Sequence, residues 1–222
     1  MLGREDDHII GNRMREYLLN TLPEDAGILK TIRDKANQEG NPLLMEETAR
    51  FLEILVKLKK PERILEAGTA IGYSSILMCQ ALEGRVHIDT VELDFDVASM
   101  ANQNVKEAGL SDCIHVIVGD TIDVFSNLQG TYDMIFMDAA KSMYLEVLPH
   151  CTRLLNDEGL LVSDNVLFKG MILEPERKKH RTIIRNMRDY LDSLCNEGTY
   201  STSLIPIGDG VAVSIKNIKE NR

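Results

Sequence analysis

From Arg63 onward the chain alternates short β-rich apolar runs with amphipathic stretches, and this alternation limits the fold more than any other feature. The runs fall at 63–67, 86–92, 114–119, 132–138 and 160–163. Helical stretches near 73–83, 95–108, 121–128 and 143–155 separate them. Strands that follow one another through helices form βαβ units, and such units build a parallel sheet covered on both faces. The end of the chain breaks the rhythm. A helix near 180–195 precedes a run at 200–207, then Gly208-Asp209-Gly210, then a run at 211–215. So tight a turn joins only antiparallel neighbours. The expectation is a mostly parallel α/β sheet with one reversed strand at its end.

Before Arg63 the period is helical. Ile9, Met14, Tyr17 and Leu18 share one face until Pro23. A second helix is expected from about Asp25 to Glu39, and a third after Pro42 through Leu44, Thr48, Phe51, Leu52, Leu55 and Leu58. With 222 residues, no repeat and no linker, the chain reads as a single domain. Residues 1–60 form a helical extension and residues 61–222 a cofactor-binding α/β core. The first ten residues lack the apolar core of a signal peptide, and the charge-free stretch at 67–82 is too short to span a bilayer. Four scattered cysteines form no Cys-x-x-Cys pair, so free buried thiols and a cytoplasmic location are expected.

The first strand runs into Glu66-Ala67-Gly68-Thr69-Ala70-Ile71-Gly72-Tyr73-Ser74. A glycine-rich turn here brings backbone close to a ligand at a helix N-terminus. Its Gly-x-x-x-Gly spacing is not the dinucleotide fingerprint, and the acidic Glu66 would repel a pyrophosphate but suit a cation. Glu92, ending the second strand, can accept both ribose hydroxyls. Asp120, ending the third, can accept from an adenine amino group. A phosphate-free adenosine carrying a cationic group describes S-adenosylmethionine.

The fourth strand ends in Asp138-Ala139-Ala140-Lys141, the fifth in Ser163-Asp164-Asn165. Asp138, Asp164 and Asn165 supply hard oxygen ligands at strand ends, which suit Mg²⁺ and not zinc. Lys141 can face the same crevice. Beside a divalent cation and a sulfonium its ammonium form is disfavoured, which makes it a candidate general base.

Together these residues resemble the cation-dependent O-methyltransferases of the catechol and caffeoyl-CoA type, over nearly the whole chain from Leu43-Leu44-Met45-Glu46 to the final hairpin. The resemblance implies a class I S-adenosylmethionine-dependent methyltransferase fold (Rossmann-like), with a seven-stranded, mostly parallel sheet, often as a homodimer. It implies Asp138, Asp164 and Asn165 as Mg²⁺ ligands and Lys141 as catalytic base. It implies Met45, Gly68, Ser74, Glu92, Asp120 and Asp138 as cofactor contacts. A narrower resemblance lies in Asp164-Asn165-Val166-Leu167-Phe168-Lys169-Gly170 and in residues 205–214, which are similar to bacterial enzymes that methylate 5-hydroxyuridine at the tRNA wobble position.

Charge bears on that narrower reading. The chain is acidic, with a formal net charge of -10, which excludes a broadly basic nucleic-acid binder. Yet residues 169–190 carry seven basic against three acidic side chains, a net +4. Lys169, Arg181, Arg185 and Arg188 are therefore candidate contacts to tRNA phosphates, with Phe168 and Tyr144 as candidate stacking aromatics. The plain alternative is a solvated helix face serving a small vicinal-oxygen substrate such as a catechol. Two adjacent oxygens occur in both substrates, so the metal set does not choose between them.

Overall fold

The computed structural model describes residues 11–173, 180–196 and 198–218. Three helices lead: α1 (Asn12–Thr21), α2 (Gly27–Glu39) and α3 (Glu46–Lys59). Then β1 (Arg63–Ala67), α4 (Tyr73–Ala81), β2 (His87–Glu92), α5 (Phe95–Glu107), β3 (Ile114–Val118), α6 (Thr121–Asn127), β4 (Tyr132–Met137), α7 (Tyr144–Leu154) and β5 (Leu155–Ser163) alternate. The chain closes with α8 (Arg181–Asn196), β6 (Tyr200–Ile205) and β7 (Val211–Lys216).

The seven strands lie in the order β3-β2-β1-β4-β5-β7-β6. The pairs from β3 through β5 are parallel, and β7 is antiparallel to both β5 and β6. The one reversed strand was expected at the sheet's end, but it lies one place inside the edge. β7 inserts between β5 and β6 because the tight Gly208–Gly210 turn and the long α8 crossover leave β6 outermost. β5 begins five residues earlier than its apolar run, at Leu155. Its first half holds Asn156, Asp157 and Glu158, which hide the strand from a hydropathy pattern.

Alternating strand residues feed two cores. Ile64 joins Leu29, Ile32, Leu52, Val56, Ile76 and Val105 under α2–α5. Its neighbour Leu65 joins Phe125, Val147, Leu154, Met187 and Leu194 under α6–α8. Parallel strands covered on both sides read as continuous apolar runs, and β4 is buried along nearly its whole length. Cys79 and Cys151 are buried in these layers, but Cys113 is half-buried and Cys195 exposed, so not every thiol is shielded. Among the described residues no helix is long and apolar enough to cross a membrane.

The amino-terminal edge of the sheet is tied by Asp89. Tyr132 Oη donates to its Oδ2 at 2.8 Å, and the His87 and His115 rings each approach its Oδ1 at 3.2 Å. Burial alone pushes this carboxyl up, but those hydrogen bonds and the nearby histidines outweigh it and hold Asp89 below the usual range. A carboxyl depressed in the fold stabilises above its unfolded pKa, near ~4, and loses that contribution as pH falls through the folded value. Asp89→Asn should therefore cost about 1–2 kcal/mol at pH 7. The difference from wild type should shrink below about pH 4, as read by urea unfolding across pH.

Candidate active site at the carboxyl ends of the strands

The sheet reverses its strand order between β1 and β4, and open α/β sheets bind ligands at the carboxyl ends of the strands beside such a switch point. The residues singled out from sequence after β1, β2, β3, β4 and β5 all stand at that end. Gly68 follows β1 with φ +93°, and a Cβ built on it would lie 2.3 Å from the Asp138 carbonyl oxygen. No side chain fits there, so the turn lies directly against the backbone of Asp138. Ala70 adopts φ +44° in the same turn, a left-handed conformation uncommon outside glycine. Its N–H donates to Glu92 Oε2 at 2.9 Å, so the end of β2 holds the turn in place. Glu92 Oε1 accepts from the Asp94 N–H.

Glu66 does not serve as the cation partner that its sequence position implied. It is fully buried, and its carboxylate accepts from Thr90 Oγ1 at 2.6 Å, from Ser74 Oγ at 2.5 Å and from Ser75 Oγ. Burial raises its pKa despite these donors. Glu66 is thus an internal anchor joining β1, β2 and the start of α4. Ser74, by the same bond, turns its hydroxyl proton inward. Asp120 caps α6, its Oδ1 accepting from Ile122 N at 2.8 Å and Asp123 N at 3.2 Å. The capping role is legible in sequence as Asp before a helix.

Asp138 and Asp164 close the next two strands. Asp138 N donates to Ala67 O and Asp164 N to Met137 O, each at 2.9 Å, so the sheet's ladder itself sets the two carboxylates side by side. Asn165, at φ +62°, points its Nδ2 to Asp138 Oδ1 at 2.8 Å, and its N–H donates to Asp164 Oδ1 at 2.7 Å. Burial is the main force raising both carboxyls. Asp138 is raised further by Asp164 and Glu66, and Asp164 by Asp209 and Glu47, while Lys141 opposes the rise in both. Such a pocket of negative charge fits a cation. Among the described residues no three His, Cys, Asp or Glu side chains form a metal cluster.

Lys141 opens a short 3-10 turn (Lys141–Met143) after β4, and its Nζ lies 5.7 Å from the centroid of the Phe168 ring. Phe168 itself meets His180 edge-on at 5.8 Å. Tyr144 is not an available stacking surface. It is fully buried, and its hydroxyl donates toward the Met137 and Asp164 carbonyls, bracing the ends of β4 and β5.

The segment after β5 is clamped. Val166 and Leu167 donate to the Gly210 and Asp209 carbonyls at 3.0 Å, and the Lys169 N–H donates to Asp209 Oδ1. Phe168, Lys169 and Gly170 all have positive φ. Arg188 does not stand ready for phosphate: its Nε and Nη2 donate to the Ile172 carbonyl at 3.0 and 2.7 Å. Lys169, Arg181 and Arg185 are exposed, although Arg181 has a partner of its own. Arg177, Lys178 and Lys179 lie outside the described residues.

From the extension, Met45 precedes α3, and its Sδ lies 3.3 Å from a Cβ built on Gly208. One contribution was missed in the sequence. Glu47 is 94 % buried, pairs through Oε1 with Arg15 at 3.0 Å, and leaves Oε2 without a hydrogen-bond partner, as Thr48 leaves its Oγ1. Its position in an amphipathic helix start gave no sign of burial, because Arg15 comes from a separate helix.

The profile of the O-methyltransferase family matches residues 20–217. The chain belongs to the catechol- and caffeoyl-CoA-type O-methyltransferase family. A catechol O-methyltransferase of Niastella koreensis is 34% identical across 78% of this chain and 72% of its own length. A Staphylococcus aureus structure assigned as a caffeoyl-CoA O-methyltransferase superposes with TM-score 0.85 at 28% identity, covering 93% of this chain and 100% of that one. The O-methyltransferase of Bacillus cereus, solved with SAH, shares the fold with TM-score 0.82 at 21% identity, covering 92% and 97%.

Within this family member the Arg188–Ile172 bonds help tie α8 to the segment beside Lys141, alongside the apolar cluster that Val166, Leu167 and Ile172 share with that helix. Arg188→Ala should destabilise by about 1–3 kcal/mol, the range for lost charged hydrogen bonds. Hydrogen exchange should speed up mainly across 165–173, with α4 and β1 unaffected.

Proposed function

We propose that this chain is an S-adenosylmethionine- and Mg²⁺-dependent O-methyltransferase whose acceptor is 5-hydroxyuridine at the wobble position of tRNA. The observation that carries the chemistry is the grouping of Asp138, Asp164, Asn165 and Lys141 at the ends of β4 and β5. The donor set fits a divalent cation, because two buried carboxyls, raised first by burial and then by neighbouring carboxylates, gain most from a positive charge between them. Asp138, Asp164 and Asn165 would hold it. A bound Mg²⁺ supplies Lewis-acid polarisation of the acceptor oxygen. Gly68, Ser74, Glu92, Asp120, Asp138 and Met45 would hold the cofactor, which brings an electrophilic methyl carbon on a sulfonium.

The chain's own residues then do three things. Lys141 receives the proton of the acceptor hydroxyl as its oxygen bonds to the methyl carbon and the carbon–sulfur bond breaks. Phe168 lies beside the Lys141 Nζ, 5.7 Å from ring centroid to nitrogen, and limits where that side chain can swing. The Gly68 turn, laid against Asp138, fixes the approach of donor to acceptor, and positioning of this kind accounts for much of methyl-transfer catalysis.

The tRNA assignment is supported by the 164–170 and 205–214 sequence resemblance and by exposed Lys169 and Arg185 on the segment and helix beside Lys141. Arg188 drops out of the phosphate set, since Ile172 occupies it. A small catechol-like acceptor is the second reading, and the relative from Niastella koreensis favours it.

Methyl transfer should be compared on tRNA containing 5-hydroxyuridine, on catechol and on caffeoyl-CoA. Turnover confined to the small molecules would overturn the tRNA assignment. Lys141→Ala should lower kcat by about 10²–10⁴-fold, the usual worth of a general base, with S-adenosylhomocysteine affinity retained. The pair Lys169→Glu and Arg185→Glu should raise the tRNA KM about tenfold or more and leave any catechol turnover intact. Equal loss on both substrates would make the stripe a structural surface.

A further inference from the structure

Tyr73 is the first residue of α4, directly after Gly72 of the glycine-rich turn, and it is almost fully buried. Its hydroxyl donates to Asp25 Oδ2 at 2.8 Å and accepts from Arg33 Nη2 at 2.7 Å. Arg33 donates through Nε to the same Asp25 oxygen at 2.6 Å and through Nη1 to the Leu44 carbonyl at 3.1 Å. Its guanidinium carbon stands 4.6 Å from the Tyr73 ring centroid. Arg50 of α3 bonds the remaining oxygen of Asp25. The side chains of Asp25 and Arg33 are 4% and 11% exposed, so this is an interior network and not a surface ion pair.

Its position is what gives it a function. Leu44 immediately precedes Met45, and Tyr73 stands between Gly72 and Ser74. The network therefore joins the two parts of the chain that would contact the cofactor from the extension and from the glycine-rich turn. Among the described residues the Arg33–Tyr73 bond is the one side-chain hydrogen bond that links α2 to α4. Burial is the main cause that pushes the Tyr73 phenol up to about 12. Burial acts the same way on Asp25, but there the bonds and charges of Arg33, Tyr73 and Arg50 outweigh it and hold the carboxyl low. At neutral pH the phenol is a donor and the carboxylate an acceptor, so the bond directions are fixed.

We propose that Asp25, Arg33 and Tyr73 form a positioning clamp for the cofactor, setting the Met45 segment at a fixed distance from the Gly68–Ser74 turn. The clamp rests on the crevice being the cofactor site and is independent of the acceptor. None of the three residues touches the reacting atoms. Their effect is on how much order the site has before the cofactor arrives, and pre-ordering shows as affinity.

The test is calorimetric titration of the full-length protein with S-adenosylhomocysteine, alongside steady-state kinetics. Tyr73→Phe removes one hydroxyl without changing shape. Arg33→Lys keeps the charge but cannot reach Asp25, Tyr73 and Leu44 together. Each should weaken S-adenosylhomocysteine about tenfold, the scale of one or two buried hydrogen bonds, and raise the cofactor KM alike, with kcat at saturating cofactor within about twofold of wild type. Mn²⁺ affinity, followed by electron paramagnetic resonance, should not change. Asp25→Asn combined with Tyr73→Phe should weaken binding by less than the product of the single effects, since both remove one shared bond. Unchanged affinity in folded Tyr73→Phe and Arg33→Lys overturns the clamp. So does a loss of thermal stability accompanied by equal falls in kcat and affinity, which marks a purely structural network. Wild-type protein that fails to bind S-adenosylhomocysteine overturns the cofactor site and the clamp with it, a result distinct from failure of the variants alone.

Discussion

Two carboxyl groups that repel each other stand side by side because the sheet leaves them nowhere else to go. β4 pairs with β5 so that Met137 faces Ser163, and the next residue on each strand is Asp138 or Asp164. Backbone hydrogen bonds at 2.9 Å carry the ladder on to both aspartates. Many backbone bonds and two apolar layers hold that register, so the local repulsion cannot shift it. The remaining freedom is taken by the surroundings. Asn165 bonds both aspartates, Lys141 opposes their charge, and Tyr144 braces the two strand ends from below. The two carboxyls are thus fixed in place by the framework itself, whatever comes to lie between them.

Around that centre, close backbone approach replaces side-chain packing. Gly68 lies against Asp138, Gly208 against Thr48 and Met45, and Gly210 against Leu167. Each of these contacts joins elements far apart in the chain, and each would be closed to any residue with a Cβ. The crevice is thus edged by three loops held at van der Waals distance from their neighbours. The extension adds a fourth edge through Asp25, Arg33 and Tyr73. A family fold of strands and helices is shared with many chemistries, so these edges, more than the sheet, determine what this crevice accepts.

The parallel sheet and its strand ends were legible in sequence because β1, β2, β4 and the second half of β5 are largely buried and show as β-rich runs, although the edge strand β3 is only partly covered. Gly68, Glu92, Asp120, Asp138 and Asp164 could be placed because each directly follows or ends such a run. Where a strand begins with solvent-facing polar residues, as β5 does at Asn156–Glu158, hydropathy misses it. Glu66 misled for a related reason. Strand position places a residue near the ligand end, but the pleat and the three hydroxyls of Ser74, Ser75 and Thr90 decide which way its carboxylate points. Arg188 looked equivalent to Arg181 and Arg185 on one helix face, yet only Arg188 comes within reach of the Ile172 carbonyl.

Residue order alone determined the element types, the alternation and the chemistry available at each strand end, because these depend on local spacing and on side-chain type. The tertiary structure alone decided which of those groups meet. Pairing Asp25 with Tyr73, Arg15 with Glu47 and Lys169 with Asp209 joins residues 48, 32 and 40 positions apart. No periodicity spans such distances. Whether a charged side chain faces a ligand, a carbonyl or an opposite charge is set by helix packing and strand register, which depend on the whole core at once.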